Sequence, residues 1–155
     1  MAVLQNSDIL KGSALQLFYN GATIAFATSH TLSLTVNTNE VLTKDHADYP
    51  AQVATTLNWE VSAENLYSTS GNETLLKLAK AKTPITIKFA EVSNYSATDE
   101  AGIIGVDPEK TWTAGTTLAE GKALITSYSV NAGAGDNASI SVTFTGVGPL
   151  VTAGA

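Results

Sequence analysis

The densest run of titratable side chains is Lys44-Asp45-His46, with Asp48 two residues on. A histidine beside carboxylates could hold a metal ion or serve as a general base. As a metal site it lacks ligands. The only other imidazole is His30, and cysteine is absent. As a hydrolase it lacks a nucleophile, because none of the many serines is singled out by an elbow motif or a neighbouring base. Phosphate-binding glycine loops, HExxH and calcium-loop patterns are also missing. Sugar binding requires exposed aromatic rings. Trp112, in a loop, is the better candidate for stacking or for docking on a neighbouring subunit. Trp59 shares a strand face with Leu57 and Val61 and reads as core. No catalytic residue, cofactor or metal is therefore expected.

Charge narrows the partners. The 155 residues carry 8 Lys+Arg against 14 Asp+Glu, a formal net charge of −6. A nucleic-acid grip would show a basic stripe, and an anionic membrane surface would attract a basic patch. No apolar run approaches the roughly 20 residues of a membrane span, and the N-terminus has no pattern of a secretory signal. Only 14% of residues are charged, and Ser, Thr and Ala stand in their place. Such a surface is cheap to desolvate, which favours protein–protein contact.

Alternation with period two dominates the chain. Leu32, Leu34 and Val36 alternate with Thr31, Ser33, Thr35 and Asn37. Leu57, Trp59 and Val61 alternate with Asn58, Glu60 and Ser62. The same pattern runs through Ile85-Ile87-Phe89 and Ile140-Val142-Phe144. Each reads as a half-buried strand, with Leu34, Trp59, Ile87 and Phe144 in the core. Asn20-Gly21 between two apolar runs predicts a tight hairpin. A strand over Lys122–Val130 and the turn Gly133–Asn137 predict a C-terminal hairpin. One helix is expected over about 73–82. Ser70 or Asn72 would cap it, Leu75, Leu78 and Ala79 would form its apolar stripe, and Thr83-Pro84 would stop it. Residues 38–55 and 93–120 read as long loops, and 147–155 as an arm. The fold class that follows is mainly β, in one domain over 1–155. It is an antiparallel β-sandwich or flattened barrel with one short flanking helix.

With these segments placed, the chain resembles the major tail tube proteins of long-tailed bacteriophages. The resemblance rests on Lys11-Gly12 before the strand Leu15–Tyr19, the turn Asn20-Gly21, and the stretch Ile24–Leu34 with its Ser29-His30-Thr31-Leu32-Ser33. It continues through Thr43-Lys44-Asp45, Asn58–Ser62 and the closing segment Val142–Leu150. It implies a β-sandwich subunit, made in the host cytoplasm, that forms hexameric rings in the virion tail. The rings would stack into a hollow tube through which DNA passes without specific binding. Tape measure, tail tip and tail terminator proteins would be its partners, with no membrane involved. The loop over 38–55 would reach an adjacent ring through Val41, Leu42, Thr43, Lys44, Asp45, His46 and Tyr49, with Trp112 a further contact. Ser33, Thr35, Asn58 and Glu60 would face the lumen. The inner tube of a contractile injection or secretion machine is the alternative within the same physics. A small carbohydrate-binding β-sandwich is the alternative from another class.

Overall fold

A computed structural model describes residues 14–24, 27–45, 49–67, 69–93 and 113–152. The strands are β1 (Leu15–Tyr19), β2 (Ala22–Thr23), β3 (Ala27–Val41), β4 (Ala51–Leu66), β5 (Ile85–Val92), β6 (Ala114–Asn131) and β7 (Ser139–Thr152), with helix α1 (Thr69–Ala81) between β4 and β5. All neighbours are antiparallel, in the order β2-β1-β5-β6-β7-β4-β3. The chain is mainly β with one short flanking helix, as expected. The two layers of the sandwich are the two ends of one sheet, curled over and left open.

A single contact measures that curl. His30 on β3 packs edge-on against Phe89 on β5, with ring centroids 6.2 Å apart. Strands β6, β7 and β4 lie between them in the sheet. In a flat sheet four strand spacings would put them about 19 Å apart. The curl encloses the core: Leu17, Trp59, Val61, Ile87, Phe89, Ile140, Val142 and Phe144 form one buried cluster, with Leu75 of α1 laid onto it. Ile87, Trp59 and Phe144 thus sit where alternation puts them.

Local chemistry explains the turns. Asn20 and Gly21 both take positive φ, at 52° and 80°, the pairing that a two-residue hairpin turn of matching twist requires. The helix starts at Thr69, several residues before the expected 73, so Ser70 and Asn72 lie within it rather than capping it. Its exposed face carries the i,i+4 pair Glu73–Lys77. Lys82 ends it in the left-handed region at φ 54°, just ahead of Pro84.

Four expectations need correction. Residues 38–41 continue β3 and residues 51–55 begin β4, so the expected loop over 38–55 shrinks to a connection over 42–50. Polar composition and Pro50 mimicked a loop, because a strand solvated on both faces has no sustained apolar stripe to betray it. Residues 114–120 of the expected second loop belong to β6. The expected arm over 147–155 is strand as far as Thr152, paired through Ala119↔Thr152 and Glu120↔Val151. Leu34 is not core: it is 56% exposed. Its parity is right, but its strand has already left the body.

The reason is a fork in the sheet. β4 pairs with β7 from Glu60↔Thr145 to Leu66↔Ser139 and no further toward the tip. Beyond that point β4 stays with β3 as far as Val41↔Ala51, while β7 stays with β6 as far as Thr152. Trp59 stands at the fork, 5% exposed, and its Nε1–H donates to the carbonyl of Gly148 at 3.0 Å. A Cβ on Gly146 would fall inside the indole ring, so only glycine fits there. Gly148 takes φ 104°, which turns that carbonyl into position.

We therefore expect Trp59→Ala to lower unfolding free energy by roughly 3 to 5 kcal/mol, read from urea denaturation. Leu34→Ala should change it by less than about 1 kcal/mol. Equal losses at the two sites would contradict the fork.

Candidate functional site

Among the described residues, β3 and β4 build two surfaces open to contact. The first is the face of the sheet turned away from the core. Cross-strand partners arrange it in rows. Ser29 opposes Glu64, which opposes Ser141, which opposes Ser129. Thr31, Ser62, Thr143 and Ser127 make the next row. Ser33, Glu60, Thr145 and Leu124 make the third. Hydroxyl side chains dominate, and Glu60 and Glu64 are the only charged groups in these rows. The hydroxyls engage one another where strands meet: Thr126 Oγ1 lies 2.9 Å from Thr145 Oγ1. Two lysines border these rows on the same side: Lys122, exposed on β6 opposite Thr86, and Lys88, which is paired with Glu120 at 3.7 Å.

The structure brings the four expected lumen residues together here. Ser33 is the direct partner of Glu60, and Thr35 of Asn58. All four are exposed. The polar phase of each strand was visible in the sequence. The order of strands was not, so the contributions of β7 and β6 to the same face, Thr143 and Ser127 among them, went unseen.

The second surface is the two-stranded ribbon beyond the fork, formed by β3 and β4 with the connection over 42–50. Among the described residues, positions 51–59 of β4 have β3 as their only sheet neighbour, a projection of about 30 Å. A two-stranded ribbon is marginally stable by itself in water. Local bonds support this one: Asn37 Nδ2 donates to Thr56 Oγ1 at 2.9 Å, and Thr55 Oγ1 to the Asn37 carbonyl at 3.0 Å. Yet it leaves Leu34, Val36, Val41, Val53 and Leu57 exposed, with Leu42 and Tyr49 on the connection, Tyr49 at 84%. Thr43, Lys44 and Asp45 are exposed there as well. His46 and Asp48 of the titratable run, and Trp112, lie outside the described residues. Sequence reading named the connection but missed Leu34, Val36 and Leu57, because it placed their stripe in the core.

Among the described residues no group of three or more His, Asp or Glu side chains is placed to hold a metal ion. His30, the other imidazole, is turned inward. Its Nε2 has no hydrogen-bond partner, and burial lowers its pKa from 6.5 to about 4. Asn65 Oδ1 and Tyr128 Oη, on the same inner face, also lack partners, and burial followed by Tyr67 raises the Tyr128 pKa. Among the described residues no helix is long and apolar enough to cross a membrane.

A curled antiparallel sheet with one helix, a hydroxyl-rich outer face and an unsupported apolar ribbon defines a structural subunit of an assembly. The chain belongs to the phage tail tube protein family, whose model matches residues 20–152. It is thus a structural component of a phage-like tail. Its fold is similar to that of a chain in the tail of an empty gene transfer agent particle, computed by helical refinement with C6 symmetry. That match has a TM-score of 0.68 at 13% identity and covers 93% of this chain and 98% of the other. A chain from the virion of the native gene transfer agent particle matches with TM-score 0.68 at 12% identity, covering 93% and 98%. No curated protein sequence matches the chain.

The buried imidazole gives a pH expectation. Above pH 6.5 His30 is neutral in both folded and unfolded chains and contributes no pH dependence. As pH falls from 6.5 toward 4 the unfolded chain takes up a proton that the fold refuses, so stability falls across that window and levels off below it. The full loss is about 3 kcal/mol. Urea midpoints at neutral pH and near pH 4 should differ less in His30→Leu than in the parent.

Proposed function

We propose that this chain forms six-fold rings that stack head to tail into a hollow tube, the conduit through which DNA leaves the particle. The observation that carries the reading is the ribbon. It projects about 30 Å beyond the last β4–β7 pair and exposes apolar side chains along its length. A monomer has no use for such an element, whereas a head-to-tail stack gives every ribbon an equivalent seat. The six-fold symmetry of the similar gene transfer agent tail supports the ring order.

The hydroxyl face suits the bore. DNA must slide past without binding, and its phosphates bind wherever lysines and arginines release counterions. Neutral hydroxyls give them no such anchor, Glu60 and Glu64 repel them, and the lysines of this side, Lys88 and Lys122, stand at its border. Six copies at −6 each give a ring of about −36, which adds a repulsive field along the path. Tape measure, tail tip and tail terminator proteins would contact the tube at its bore and ends. No step of this role needs a catalytic group or cofactor.

Negative-stain electron microscopy across a concentration series tests the assembly: rings or hollow tubes of uniform width are expected, and monodisperse particles of monomer size throughout would refute it. A second experiment tests the bore. Ser33→Lys, in particles that assemble normally, should slow DNA release measured by dye uptake. Release at the parental rate would remove this face from the lumen.

A further inference from the structure

The buried phase of β4 does not stay apolar. Trp59, Val61 and Ala63 are followed on the same face by Asn65, 2% exposed. The rows that cross the inner face change in the same direction. At Val61 the row is apolar throughout: Leu32, Val61, Phe144 and Ile125. At Ala63 it is His30, Ala63, Val142 and Tyr128, with a polar ring at each end. A register shift in β6 between Ile125 and Ser127 turns Tyr128 inward; without it Ser127 would take that place. Phe89 packs edge-on against His30 from the facing layer. Among the described residues three buried polar atoms have no hydrogen-bond partner, and all three belong to this end of the body: His30 Nε2, Asn65 Oδ1 and Tyr128 Oη.

We infer that these side chains hold one internal water molecule, bonded to His30 Nε2, Asn65 Oδ1 and Tyr128 Oη together. A polar atom stranded in a packed core costs its full desolvation, and a buried water making about three bonds relieves that cost. The three atoms also select the ligand. Asn65 Oδ1 only accepts, the Tyr128 hydroxyl donates or accepts, and His30 Nε2 does either according to its tautomer. Burial keeps the imidazole neutral at pH 7. A cation would find one amide oxygen and no carboxylate on these rows, and an anion would face that same oxygen. A small neutral molecule that both donates and accepts suits all three. The reach is sufficient. Three strand spacings put His30 and Tyr128 about 14 Å apart along the sheet. The curl shortens that gap, and Ala63 fills it with no more than a methyl group. The water ties the edge strand β3 to β6 across β4 and β7, at the end of the body opposite Trp59. This inference is independent of the tube reading.

Oxygen-17 magnetic relaxation dispersion counts the long-lived internal waters of the full chain, and a density map that resolves waters locates them. We expect a water in the map within hydrogen-bond distance of all three atoms. The dispersion should fall by one water per chain in N65L/Y128F, checked for parental circular dichroism. Tyr128→Phe alone removes one hydroxyl from a partly buried ring, so it should fold, and it should shorten the residence time of that water about tenfold. A parental map in which the three atoms bond to one another or to other groups of the chain, with no water among them, overturns the inference. An undiminished water count in N65L/Y128F, or an unchanged residence time in Tyr128→Phe, overturns it as well, because the long-lived water would then sit elsewhere.

Discussion

The indole of Trp59 crosses from β4 onto β7 at the point where the two strands part. On one side of it the sheet is whole, curled over a shared core and closed by α1. On the other side it is two separate tongues, β3–β4 and β5–β6–β7. The ring fills the space that side chains at Gly146 and Gly121 would otherwise claim, and its N–H satisfies the carbonyl of Gly148. A backbone carbonyl freed where a ladder ends must find a donor, and here the residue that seals the core supplies it. Body and ribbon can therefore be stable and exposed respectively without a linker between them. The ribbon is rooted where the Trp59 ring lies against Gly146 and Gly121, and its direction is set there.

This division explains which parts of the structure were legible. Alternation identified the strands of the body, because there one face is dry and the other wet. Ile87, Phe144 and Trp59 follow that rule and are buried. Asn20-Gly21 was legible because its turn has few alternatives. Leu34 and residues 38–55 were misread for a common reason: beyond the fork, period two no longer reports burial. Leu34 keeps the phase of a core residue with no core over it. Residues 38–41 and 51–55 are regular strand, but neither face is dry, so their sequence looks like loop. A subunit built to be completed by others carries surfaces whose partners are absent from its own chain, and propensity alone cannot distinguish them from errors.

The outer face shows a complementary economy. Its rows of Ser and Thr are spread over β3, β4, β7 and β6, four segments far apart in sequence, and topology alone makes them one surface. Hydroxyl groups of neighbouring strands can bond to each other, as Thr126 and Thr145 do, so this face stays ordered without long charged side chains. Short side chains also cost little conformational entropy to hold in place. Low charge content, which first suggested contact between proteins, is thus shared by two surfaces: the hydroxyl-rich face of the body and the ribbon, whose β3 and β4 strands beyond the fork carry Glu40 as their charged side chain.

The same absence of charge imposes a risk that the ribbon manages by its shape. Exposed, unpaired strands with apolar side chains are templates for unordered aggregation. A single continuous apolar stripe along β4, from Val61 through Leu57 and Val53 to Ala51, would be the worst case, flat and able to stack on any copy at any register. The bulge at Thr55-Thr56 divides that stripe. It adds twist, brings Val53 to the outer face beside Val41, and leaves each face with a short apolar patch bordered by polar groups. A short patch tolerates few registers. The irregularity that most disturbs the reading of β4 is therefore the feature that keeps the apolar patches of the hairpin short.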